Sequence, residues 1–155
     1  MQDMLKQGRL KRINTTDLYS FAEKKGIEIY CAELPLSISA SVMPTSGNCY
    51  IGIDPFQIET EAEERVHLAH EIGHCEKGAF YNPYSNLDIR AKHELKADRW
   101  AIKMLVPFAD FQYALTNGIT EVWELAEYFT VTEEFIIKAV EYYKLTENYN
   151  CLRGC

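Results

Sequence analysis

The chain has 155 residues, of which 47% are hydrophobic and 25% charged, a balance that suits one folded domain and excludes disordered and fibrous classes. A formal net charge of −7 disfavours direct nucleic-acid binding, and no apolar run approaches the roughly 18 residues needed to cross a bilayer. Met1 to Arg12 carries charges but no apolar signal core, so the expected compartment is the cytoplasm, with no membrane partner. The only locally basic stretch, Lys6, Arg9, Lys11 and Arg12, reads as a solvated terminus.

Residues 1–155 read as a single α+β domain in three parts, with no repeat or linker between them. The first part, about 14–54, opens with a helix capped by Asn14 or Thr15, carrying Leu18, Phe21 and Ala22 on one side and stopped by Gly26. Alternation then replaces helical spacing. Ile27, Ile29 and Cys31 form one strand, and Leu36, Ile38, Ala40 and Val42, interleaved with Ser37, Ser39 and Ser41, form a second. After a turn over Pro44 to Asn48, Cys49 to Ile53 reads as a third. A small, three-stranded, largely antiparallel sheet is expected.

The second part, about 60–105, holds two long helices. Thr60 and Glu63 form a capping box, and Gly78 ends that helix near Lys77. The next begins near Ser85 or Asn86 and stops by Leu105, because Pro107 cannot continue it. The third part, about 107–145, shows three shorter apolar periodicities. They are Phe108, Phe111 and Leu115; Val122, Leu125, Ala126 and Phe129; and Phe135, Ile136 and Val140, with a break at Gly118.

Five cysteines, Cys31, Cys49, Cys75, Cys151 and Cys155, are odd in number and irregularly spaced, which predicts free thiols rather than a disulfide framework. Cys151 and Cys155 read as an incidental pair in the tail.

The histidines carry the chemistry. All four, His67, His70, His74 and His93, fall between positions 67 and 93. His70-Glu71-Ile72-Gly73-His74 is an H-E-x-x-H motif inside the helix that the capping box starts. A step of four residues places both imidazoles on one face, one turn apart, where two nitrogens can converge on one ion. Glu71 projects beside them and can take a proton from water without ligating the metal. Zinc is the expected ion and Glu71 the expected catalytic base.

A catalytic zinc wants a third protein ligand and one open position. The second helix offers Glu94 and its neighbour His93, which point about 100° apart, so one of the two faces the metal. Asp98, one turn beyond Glu94, can accept the spare N–H of a ligating histidine, and that pairing favours Glu94. His93 remains the rival ligand, or a donor to a developing oxyanion in the cleft. Tyr81 and Tyr84, between the two helices, are further oxyanion candidates. His67 shares the motif face, but its helical rise from His74 is about 10 Å, which leaves it a spectator or supporting residue.

These residues resemble the ImmA/IrrE-type zinc metallopeptidases, whose members carry an H-E-x-x-H helix followed by a second acidic helix. The resemblance covers roughly residues 25–145 and is strongest at His70 to His74 and at Glu94 to Ala101. The latter looks like the family's E-x-E-A-N-x-F-A pattern with Lys96, Asp98 and Trp100 as departures. Glu94 and Asp98 also look like the E-x-x-x-D element of gluzincins. The resemblance implies a minimal zincin-like fold, Glu94 as third ligand and Asp98 as the partner of His70. It further implies a phage or mobile-element origin and, as substrate, a helix-turn-helix transcriptional repressor whose cleavage relieves repression.

The alternative is a regulatory protein-binding module with a structural or latent zinc site. Leu125 to Thr132 and the helix after it look like a helix-turn-helix. From Ile119 to Lys144, however, six glutamates face two lysines, where phosphate contact needs cations. The segment reads instead as core packing or a protein-docking surface.

Overall fold

A computed structural model describes residues 12–147. Cys151, Cys155 and the basic residues Lys6, Arg9 and Lys11 lie outside them. Among the described residues six helices accompany one three-stranded sheet, the α+β class expected. Helix α1 (Thr15–Lys24) starts at Asn14, whose side chain accepts from the Asp17 amide at 2.8 Å while Asp17 accepts from the Asn14 amide. It buries Leu18 and Ala22.

The strands are β1 (Glu28–Cys31), β2 (Ser39–Val42) and β3 (Tyr50–Ile53), in the spatial order β1-β3-β2. The sheet is mixed. β2 runs antiparallel to β3, as a short connection through Pro44 to Asn48 allows, but β1 pairs parallel to β3, with Ile29 opposite Ile51. Alternation cannot reveal this, because it reports which residues share a face and not which strand lies in the middle. β2 forms the edge on the side of the metal-motif helix, and its parity runs against its hydropathy. Ser39 and Ser41 are half-buried, while Ala40 and Val42 are exposed. The buried carboxylate of Asp54 takes the amides of Leu34 and Phe56 and the Gln57 side chain, which fixes the run of chain entering β2.

Helix α2 (Glu61–Lys77) has the Thr60–Glu63 capping box and ends on Gly78 in the left-handed conformation, φ 56°. Helix α3 (Leu87–Leu105) follows Asn86 and packs along α2 more extensively than any other element. Gly73 permits that approach, since a Cβ there would stand 2.7 Å from the Ala97 carbonyl oxygen. Helices α4 (Phe108–Thr116), α5 (Val122–Phe129) and α6 (Glu133–Thr146) complete the fold. Leu125, Ala126, Phe129, Phe135, Ile136 and Ala139 are all buried, so α5 and α6 spend their apolar faces on the core. Arg65 of α2 is buried and donates to the carbonyls of Thr130 and Phe129, closing the end of α5.

As the mixed sheet replaces the largely antiparallel one expected, so a disulfide replaces the free thiols expected. Cys49 and Cys75 form a disulfide, joining the residue before β3 to α2; among the described residues Cys31 is free, and it is exposed. Twenty-six residues separate the pair in sequence, and spacing gave no sign of it. Packing of α2 on the sheet brings their Cα atoms to 5.8 Å, within bonding range. No described helix is long and apolar enough to cross a membrane.

Candidate metal centre

The centre is built where α2 and α3 meet under β2. His70 and His74 lie one turn apart on α2, and their Nε2 atoms are 3.0 Å from each other. Glu94 of α3 reaches both, with Oε2 3.1 Å from His70 Nε2 and Oε1 3.4 Å from His74 Nε2. One ligand atom from each of these three residues lies within 4.8 Å of the others. His93, the rival donor, is not in that group.

The other ring nitrogens are tied. His70 Nδ1 donates to Asp98 Oδ1 at 2.9 Å, and His74 Nδ1 donates to the Ala79 carbonyl at 2.6 Å. Both partners are pure acceptors, so each Nδ1 carries hydrogen and a neutral ring turns its Nε2 lone pair toward the shared point. Two lone pairs and a carboxylate aimed at one place repel one another unless a cation stands between them. A proton answers part of that demand. Burial opposes charge on His70, yet the hydrogen bonds to Asp98 and Glu94 outweigh it and raise its pKa to about 9. The same contact with His70, then His74, holds the Glu94 carboxyl far below its usual range. The donor set fits a divalent ion, and two imidazoles with one carboxylate suit zinc.

Gly78 has a part in this geometry. Its left-handed turn brings Ala79 back under the helix end, where the Ala79 amide donates to the His74 carbonyl and the Ala79 carbonyl receives the ring. Behind His70, Asp98 is also held by Lys138 of α6, with Nζ 3.2 Å from Oδ2.

Glu71, 6% exposed, reaches β2, where it accepts from Ser39 Oγ at 2.8 Å. Ser39 Oγ also lies 3.1 Å from His67 Nδ1. Tyr81 donates to Glu94 Oε1 at 2.8 Å, so its hydroxyl is directed at the proposed ligand, while Tyr84 is 95% exposed. His93 sits beside the Tyr81 ring, with a buried Nδ1 that has no hydrogen-bond partner among the described residues. Ser39, Ser41, His70, Glu71, His74, Tyr81 and Glu94 all line one cleft of about 410 Å³.

A family model described as the IrrE N-terminal-like domain, a peptidase family, matches residues 22–141. The chain belongs to this family. The matched span runs from α1 through most of α6 and so contains the whole candidate centre of this IrrE-like peptidase. No curated protein matches the chain.

Sequence reasoning missed two contributors to the centre. Ser39 sits on another element and has no motif, and its only signal is polar alternation along β2. The Ala79 carbonyl has no side-chain signature at all; Gly78, as a helix stop, is the nearest indication.

Proposed function

We propose that this IrrE-like peptidase is a zinc-dependent metalloendopeptidase that cleaves a protein substrate. The observation that carries the proposal is the convergence of His70, His74 and Glu94 in a cleft that also holds Glu71. The three would hold zinc, and Asp98 and the Ala79 carbonyl would orient the imidazoles. When bound, zinc supplies Lewis acidity, bringing the pKa of water toward about 7 and polarising a substrate carbonyl. Glu71 takes the proton from water as its oxygen attacks the carbonyl carbon. It then gives that proton to the amine as the carbon–nitrogen bond breaks. Among the described residues β2 pairs with β3 alone, and its outer edge runs along the cleft, where an extended substrate can add by backbone hydrogen bonds.

The substrate we propose is a helix-turn-helix repressor of a phage or mobile element, cleaved in the cytoplasm to relieve repression. The family resemblance supports it, and a chain of net charge −7 is complementary to a DNA-binding protein's basic surface. The test is co-expression with the repressor encoded beside this gene, followed by a search for a metal-dependent truncation. Glu71→Gln is expected to keep zinc and lose cleavage, and full cleavage by that variant would sink the hydrolytic mechanism. Glu94→Ala is expected to lower bound zinc per chain; unchanged stoichiometry would return the third ligand to His93.

A further inference from the structure

The hydroxyl of Ser39 has one hydrogen and two neighbours that could receive it, Glu71 Oε1 at 2.8 Å and His67 Nδ1 at 3.1 Å. A carboxylate is the stronger acceptor, so the hydrogen goes to Glu71. His67 Nδ1 must then be the donor to Ser39 Oγ, because two facing lone pairs would repel. Burial lowers the His67 pKa from 6.5, so near pH 7 the ring is neutral and its single N–H lies on Nδ1. The hydrogen bonds run in one direction, from His67 through Ser39 to Glu71.

We propose that Ser39 is the positioning residue for the catalytic base: held by His67, it pins one oxygen of Glu71 and leaves the other to work in the cleft. This rests on the hydrolytic reading of Glu71 given above. Two features make the arrangement more than a satisfied polar contact. His67 and Glu71 are four residues apart on α2, so Ser39 fills the space between successive turns of one face. Ser39 is also the first residue of edge strand β2, paired with Ile53, so the base is tied to the strand on which a substrate would add. The inverted parity of β2 has its explanation here, since an inward apolar residue would leave the buried Glu71 oxygen without a donor.

The first test needs no substrate. Long-range proton–nitrogen spectra of the imidazoles in the zinc-loaded protein are expected to show His67 protonated on Nδ1. Ser39→Ala is expected to shift that ring toward the Nε2-protonated tautomer while bound zinc per chain stays unchanged and the protein stays folded, with a lower melting temperature because a buried acceptor loses its donor. A His67 tautomer indifferent to Ser39→Ala overturns the proposal. The second test uses the best-cleaved member of an internally quenched random peptide library. Ser39→Ala is expected to lower kcat on the order of 10- to 100-fold with KM within about twofold, as misplacing a reacting group does. Ser39→Thr, which keeps the hydroxyl, is expected to recover most of kcat. If Glu71→Gln is inactive while Ser39→Ala turns over at the wild-type rate, the positioning role is wrong and the hydrolytic reading stands. If Glu71→Gln cleaves normally, the hydrolytic reading itself has failed.

Discussion

Helices α2 and α5 are both buried on one face, and they bury different things. α5 places Leu125, Ala126 and Phe129 in the core, whereas α2 buries Arg65, Glu71 and His74 among Leu68, Ala69 and Ile72. Burying polar groups is costly unless each finds a partner, and those of α2 do. Arg65 closes α5, Glu71 meets Ser39, and His74 meets Ala79. The C-terminal helices contribute mainly apolar burial and touch the centre through Lys138 of α6. The α2–α3 pair contributes chemistry and relies on close backbone approach for its packing. Lesions in the two regions should therefore separate stability from metal binding.

The largest effect is expected in the C-terminal region. Phe111 of α4 is fully buried, with its ring stacked 5.6 Å from that of Tyr143, whose hydroxyl donates to the Val106 carbonyl. Phe111→Ala should cost about 3–5 kcal/mol of unfolding free energy in urea titrations. Zinc stoichiometry of the folded fraction should not change, and loss of zinc in parallel with stability would show that the regions are not separable. Gly73→Ala should join the two effects. Its methyl would press on the Ala97 carbonyl and push α3 away, costing about 1–3 kcal/mol and carrying Glu94 off the two histidines. Wild-type zinc affinity in that variant, measured against a chromogenic chelator, would show that the contact is not what sets the centre.

How far the sequence discloses each region follows from the same difference. α2 was legible because its start, stop and motif are local: Thr60 with Glu63, Gly78, and two histidines four residues apart. Asp98 was legible through its one-turn spacing from Glu94, and it does meet His70. The three C-terminal helices followed from apolar periodicity and the break at Gly118, where φ is 86°. What was hidden depends on tertiary neighbours. The parallel pairing of β1 with β3 requires knowing that β2 lies outside them, and four-residue strands carry no such mark. The Cys49–Cys75 bond depends on where α2 crosses the sheet. Alternation assigns the inward face of a strand to apolar residues, and at Ser39 a buried carboxylate reverses that assignment.

The two regions touch at Asp98. Asp98 accepts from His70 with one oxygen and from Lys138 of α6 with the other. Asp98→Ala removes the acceptor that fixes the His70 ring and should weaken zinc binding about 10- to 100-fold in the chelator competition. Lys138→Met removes only the outer partner, whose side chain is 55% exposed. An ion pair that open to water is worth roughly 0.2–1 kcal/mol, so the change in zinc affinity should stay within about fivefold. Lys138 draws charge from Asp98 and so makes His70 a poorer donor to a metal, and removing it should tighten zinc binding slightly, provided Asp98 keeps its place. The pair of variants thus measures how far α6 reaches into the centre. A loss with Lys138→Met as large as that with Asp98→Ala would mean that α6 holds Asp98 in position, and the metal centre would then extend into the C-terminal helices.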